Sequence, residues 1–388
     1  MNTTTDRIYL DHSATTPVDP RVVEAMAPYW STTFGNTESS HAYGRAAAGA
    51  LAQARQTIAS ILNCRASEIV FTGSGTESDN LALRGAAWAA REGGQGSHIL
   101  ATPIEHHGVG RTLGQLQNLF GFSVEELPVD RYGVVDPGDV ASAIRPDTVL
   151  VSVILANNEI GTVQRAEEIG RICRARGVLF HTDAVQAPGR LALAPVVAES
   201  DLMALSAHKF YGPKGVGLLF VRRNTPLIPA ITGGDHERGR RPGTVNVAGA
   251  VGLAAALRMA DEGRTAENAA LRALRDRLIE GVLEAVPESR LTGHPQRRLP
   301  HHASFVFRGV EGESIVQALD LAGIAASSGA ACAEGEPEPS FVLKALGLPA
   351  EWGIGSLRLT LGRSNTQEHV DRVLTILPEV IADLRGAR

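Results

Sequence analysis

The sequence is poor in cysteine, has no long apolar run and carries no excess of positive charge, and each shortage closes off a class of protein. Cys64, Cys173 and Cys332 are the 3 cysteines in 388 residues and have no paired spacing, so neither a disulfide framework nor a zinc knuckle is indicated. The 12 histidines include no HExxH and no close His/Cys set, which sets aside a zinc hydrolase. No apolar stretch approaches the roughly 18 residues of a spanning helix, so no membrane partner is expected. The opening MNTTTDRIYLDHSATT lacks the basic start and apolar centre of a secretion signal, and a cytoplasmic location is the expectation. A net charge of −5 gives no reason to expect direct nucleic-acid binding.

What is present is ordinary globular composition in a chain long enough for two domains. Apolar runs of strand length alternate with helix-length segments: EIVFT (68–72), SHILAT (97–102), TVLVSVILA (148–156), GVLFHTD (177–183), DLMALSA and GVGLLFVRR. Continuous apolar runs, each followed by a helix, predict a parallel sheet covered on both faces, hence an α/β domain. From Asn246 a long Ala/Leu/Arg-rich stretch reads as helix interrupted near Gly263. Beyond it HHASFVFRG, GIAASSGAAC and GSLRLTLGR predict shorter strands among helices, a smaller α+β unit.

Ligands of open parallel sheets sit at the carboxyl ends of the strands, so the residues after each run matter most. EIVFT runs into Gly73-Ser74-Gly75-Thr76 and then a helix, a cradle of amides and hydroxyls suited to phosphate. Its spacing matches neither GxGxxG nor a P-loop. Later runs end in Glu105-His106-His107, in Asn157-Asn158-Glu159, in Asp183 with Gln186, and in Ser206, His208 and Lys209. Each alone passes for a cap or a surface charge. Together they supply what pyridoxal phosphate requires: an amine for its aldehyde, a carboxylate for its ring nitrogen, a flat imidazole for its ring face, and hydroxyls and amides for its phosphate. Lys209 is then the Schiff-base lysine, with Ser206 and His208 beside the phosphate. Lys214 reads as an ordinary charge. Cys64 and Cys173 read as small packed side chains, whereas Cys332 sits in ASSGAACAEGEPEPS, a Gly/Pro loop that leaves a thiol open to chemistry.

From YLDHSATTPVDP to SLRLTLGR, the ordered motifs GTESDN, EHH, NNEIG, DAVQ, SAHKFYGPKG, RPGT, SSGAAC and RLTLGR resemble the cysteine desulfurases of the NifS/IscS type. These are class-V aminotransferase-like enzymes of pyridoxal-phosphate fold type I. The resemblance implies a large domain (13–258) with a mainly parallel seven-stranded sheet, and a small α+β domain (1–12 and 259–388) carrying the cysteine loop. It implies pyridoxal 5'-phosphate held by Lys209, its phosphate bound by Gly75, Thr76, Ser206 and His208, and His106 stacked on the ring and moving protons. Asp183 is implied at the ring nitrogen and Gln186 at the ring oxygen. Asn158 would lie near that oxygen and the substrate carboxylate, which Arg358 clamps. Thr244 is implied to reach the partner subunit's phosphate in a homodimer, and Cys332 to form the persulfide. No resident metal is expected, beyond an iron–sulfur cluster that Cys332 can ligate transiently.

The implied reaction converts L-cysteine to L-alanine and hands sulfur to a protein acceptor, either a cluster scaffold or an enzyme that thiolates tRNA or DNA. Rival readings are a selenocysteine lyase or a cystine/cysteine C–S lyase on the same scaffold, and a non-enzymatic scaffold that binds sulfur carriers. A simple lyase has no need of the Cys332 thiol, and an idle scaffold has no need of Lys209, Asp183 and His106. Departures from the family pattern are His12-Ser13 for Asn-Ala, Thr37-Glu38 for Pro-Ser, Ala330 for serine, and an acidic stretch at Glu334, Glu336 and Glu338.

Overall fold

The protein is described by a computed structural model that covers residues 7–329 and 338–386. Its strands in chain order are β1 (Ile8–Tyr9), β2 (Ile69–Thr72), β3 (His98–Ala101), β4 (Ser123–Glu126), β5 (Thr148–Ser152) and β6 (Leu179–Asp183). There follow β7 (Leu202–Ser206), β8 (Gly217–Val221), β9 (Ser289–Leu291), β10 (His302–Phe307), β11 (Ile324–Ala325) and β12 (Ser356–Thr360). Seven of them form one sheet in the order β2-β8-β7-β6-β5-β3-β4. Every residue of β2, β3, β5, β7 and β8 is buried, which is why these strands read as unbroken apolar runs.

One face of the sheet packs on the helices Ala42–Leu62, Ala166–Arg176 and the first part of Val247–Ala285. The other face packs on Gly75–Glu92 and His107–Phe120 through Leu81, Leu83, Val109 and Leu113. A separate apolar cluster joins Ile8 and Leu10 to Leu271, Leu278, Phe305, Phe307, Leu357, Leu359 and Val373. There β9, β10 and β12 form an antiparallel sheet, and β1 pairs with β11.

Several expectations need correction. β8 runs antiparallel to both neighbours, because the connection from Ser206 to Gly217 is shorter than the dozen or so residues that a parallel crossover needs. β4 has the mostly exposed sequence SVEE; it is an edge strand, with none of the apolar signal of a buried one. Of TVLVSVILA only residues 148–152 stay in the ladder, although Val153 N and Leu155 N still donate to His181 O and Asp183 O at 3.1 and 2.9 Å. GIAASSGAAC contributes only the two residues of β11 within the described part. The helix Val247–Ala285 is continuous through Gly263 for 39 residues. A lone glycine costs about 1 kcal/mol against alanine, less than the helix gains by burying Leu253 and Leu257 in the first core and Leu271, Leu278 and Val282 in the second.

Candidate active site

At the carboxyl ends of β2, β6 and β7 lies a cavity of about 210 Å³, lined by Ser74, Gly75, Thr76, His106, Asp183 and Lys209 among others. Ser74 caps the Gly75–Glu92 helix, its Oγ accepting from Glu77 N at 3.1 Å. A Cβ at Gly75 would lie 2.7 Å from Val185 Cγ2 and 3.3 Å from Ser206 Cβ. Only glycine lets this helix start so close to the neighbouring strand ends. The first turn's unpaired amides and the Ser74 and Thr76 hydroxyls therefore face the cavity as an anion seat.

Lys209 follows β7 in a tight 3-10 turn, Ala207–Lys209. Its Nζ donates to Ser13 O at 2.5 Å and Ala14 O at 2.7 Å, and Gln186 Nε2 donates to the same Ser13 carbonyl at 2.9 Å. Burial, reinforced by the Arg358 guanidinium, pulls the amine down from its ordinary 10.5 to about 8. His208 Nδ1 lies 3.1 Å from Thr15 Oγ1, and burial followed by the Lys209 charge pulls its imidazole down to about 4. His208 is thus neutral at pH 7 and meets an anion as a hydrogen-bond donor.

Asp183 ends β6, its Oδ1 accepting from Val185 N at 2.9 Å, and burial raises its pKa. His106 caps the His107–Phe120 helix through Nδ1, which accepts from Gly108 N at 3.0 Å; the proton is therefore on Nε2. The nearest ligand atoms of Asp79, His106 and Asp183 lie within 4.8 Å of one another. Asp79 is 1% exposed and its two carboxyl oxygens have no hydrogen-bond partner among the described residues; burial, then Asp183 and Glu105, raise it well above the usual carboxylate range. Asn158 lines the cavity, and its carbonyl accepts from Arg358 Nη1 at 3.1 Å, while Arg358 Nη2 pairs with Asp11 at 2.8 Å.

This donor set fits pyridoxal phosphate. Two buried carboxyls, Asp183 and Asp79, line the cavity; neither Asp79 oxygen has a hydrogen-bond partner among the described residues, and a protonated ring nitrogen would give such a carboxyl pair a donor and a balancing charge. The amine of Lys209, half neutral near pH 8, suits an aldehyde.

Of the residues singled out from sequence, Gly75, Thr76, His106, Asn158, Asp183, Gln186, Ser206, His208 and Lys209 come together around this cavity. Arg358 reaches Asn158 beside it. Thr244 is exposed and is not among the cavity's lining residues. Cys332, Ala330, Glu334 and Glu336 lie outside the described residues; Glu338 is exposed and pairs with Lys344 at 2.5 Å. Thr37 and Glu38 line a different groove with Arg55 and Glu237. Sequence reasoning missed Asp79 and the carbonyls of Ser13 and Ala14. Asp79 sits five residues into a helix, where an acidic residue reads as surface, and a backbone carbonyl has no sequence signature.

The class of protein follows from comparison with known families. The model of the aminotransferase class-V family matches residues 8–373, and the chain belongs to that family. Among curated proteins, "Cysteine desulfurase IscS" of Methanosarcina thermophila is 47% identical over 386 residues, covering 100% of this chain and 95% of that protein. A solved "NifS-like protein" aligns with a TM-score of 0.91 at 36% identity over 97% of this chain and 100% of its own. A solved structure titled "SspA in complex with cysteine" aligns with a TM-score of 0.80 at 33% identity, over 91% of this chain and 98% of its own. Within class V, the chain belongs to the cysteine desulfurases, and its fold is that of pyridoxal-phosphate fold type I. It is a pyridoxal-phosphate-dependent enzyme.

Proposed function

We infer that the enzyme converts L-cysteine to L-alanine and leaves the sulfur as a persulfide on Cys332. The observation that carries this reading is the placement of the Lys209 amine, its pKa brought to about 8, in one small cavity with Asp183 and the Gly75 cradle. Bound pyridoxal phosphate supplies the electron sink that takes up charge from the substrate's α-carbon. Lys209 Nζ would hold the cofactor's aldehyde and accept the substrate's α-proton. Asp183 would keep the ring nitrogen protonated, and the Ser74–Thr76 turn with Ser206 and His208 would hold the phosphate. Gln186 would bond the ring oxygen. His106, with its Nε2 proton, would pack on the ring and deliver protons. Arg358 binds the carboxylate, with Asn158 alongside.

The sulfur step balances without an added oxidant. The Cys332 thiolate attacks the substrate sulfur, the Cβ–S bond breaks towards carbon, and two proton transfers complete alanine. The persulfide then passes to a protein acceptor of cluster assembly or of tRNA or DNA thiolation. Two domains, 13–258 and 1–12 with 259–388, suit the separate apolar clusters on the first and second halves of the long helix. A homodimer accords with an exposed Thr244 and with the exposed apolar side chains Trp30, Phe34 and Tyr43. A cytoplasmic location accords with a working free thiol. No helix among the described residues is long and apolar enough to cross a membrane.

The test is stoichiometry. With L-cysteine and a thiol reductant, alanine and sulfide form in equal amounts, and Cys332→Ala abolishes protein-bound persulfide. Pyruvate in place of alanine refutes the reading.

A further inference from the structure

The carbonyl of Asn158 is bound from two sides. Arg358 Nη1 donates to it at 3.1 Å, and His302 Nε2 lies 3.0 Å from the same oxygen. A carbonyl only accepts, so Nε2 carries the His302 proton. His302 Nδ1 has no partner among the described residues, as expected of the unprotonated nitrogen of a neutral imidazole. The ring is 0% exposed, and burial followed by the Arg298 charge holds its pKa well below the ordinary value.

The surroundings leave the ring little freedom. Gly161 has φ +74°, and a Cβ there would lie 2.7 Å from His302 Cγ and Nδ1; the ring packs against a position where only glycine fits. Leu299 N donates to Gly161 O at 2.9 Å, and Arg298 Nη1 donates to His302 O at 3.2 Å. His302 and Arg358 stand on the adjacent antiparallel strands β10 and β12, so one rigid sheet aims two donors at one oxygen of the turn after β5.

We propose that His302 is a positioning residue, which holds the Asn158 turn through its carbonyl and so fixes Asn158 and the guanidinium of Arg358 for the substrate carboxylate. The proposal rests on the reading of Asn158 and Arg358 given above. With His302 in place, Asn158 O stays bonded while Arg358 engages a carboxylate. Without it, Arg358 is the sole donor to this half-buried carbonyl among the described residues, and turning towards substrate would leave it without a protein partner. The carboxylate is held throughout the reaction, so the loss falls on binding more than on turnover.

Two variants separate donor from packing. His302→Phe keeps a ring against Gly161 and removes the proton; His302→Gln gives up the ring and keeps an N–H of similar reach. The cofactor-loaded enzyme is titrated with L-alanine, which has the amine and carboxylate but no sulfur, and binding is followed by the cofactor's absorbance. His302→Phe is expected to weaken alanine binding and raise KM for cysteine roughly tenfold, with kcat within about threefold of the parent. His302→Gln is expected to recover most of that loss even if its Tm is the lower of the two. Alanine binding by His302→Phe equal to the parent's overturns the proposal, as does equal impairment of both variants in step with Tm. Should His302→Phe fail to fold, His302→Leu takes its place. Arg358→Ala is the control: unchanged alanine binding there would refute the carboxylate role of Arg358 itself, a failure distinct from that of His302.

Discussion

The chain contains 3 lysines, Lys209, Lys214 and Lys344, which makes the acidity of the proposed cofactor lysine directly measurable. Lys209 is held at about 8 chiefly by burial, with Arg358 adding to it, whereas Lys214 is exposed. At pH 7 about one Lys209 amine in ten is neutral, against roughly one in three thousand for a lysine at 10.5. That is a gain of about 300-fold in nucleophilic amine. Trace labelling of the cofactor-free protein with acetic anhydride, read lysine by lysine by mass spectrometry, should give Lys209 a midpoint near pH 8. Arg358→Gln should move the Lys209 midpoint upward, because it removes a cation that opposes protonation. The same displacement makes folding pH-dependent. Between about pH 8 and 10.5 the unfolded chain binds more protons than the folded one, so the cofactor-free protein gains about 3 kcal/mol of stability over that window. A Lys209 labelling midpoint near the ordinary lysine value of 10.5 would refute the reasoning.

Three further outcomes are expected. Asp183→Asn should lower alanine production about a hundredfold or more while Tm changes little, since an amide cannot keep the ring nitrogen protonated; near-parental turnover sinks that role. Glu105 accepts from Thr102 Oγ1 and Ile154 N at 2.8 Å each, and burial raises its carboxyl to about 8. Its contribution is therefore present below about pH 4.5 and lost as pH rises through about 8. Urea unfolding should show the parent losing on the order of 5 kcal/mol relative to Glu105→Gln across that range, and parallel curves would contradict it. Glu237 pairs with Arg55 at 2.6 Å and accepts from Phe71 N on β2 at 2.9 Å, both side chains nearly buried. Glu237→Gln strands the guanidinium and should cost about 3 kcal/mol in urea unfolding; a cost under about 1 kcal/mol would show the pair to be dispensable.

What the sequence by itself determined is the sheet and the roster of its strand ends. The buried strands β2, β5 and β7 are apolar on both faces, so they stand out in any reading, and a parallel sheet sends the residues after each strand to one edge. Lys209, Asp183, His106 and Gly75 were legible for that reason alone. The antiparallel course of β8 was not, since an apolar run carries no direction. The unbroken helix through Gly263 was not, because two cores far apart in sequence outweigh one local cost. Only the tertiary structure decided that the Ser13 and Ala14 carbonyls hold the Lys209 amine across some 195 residues of chain. It alone placed Asp79 beside Asp183, and His302 and Arg358 on the Asn158 carbonyl. Backbone carbonyls have no letter in the sequence, and a buried charge reads like a surface one until its neighbours are known.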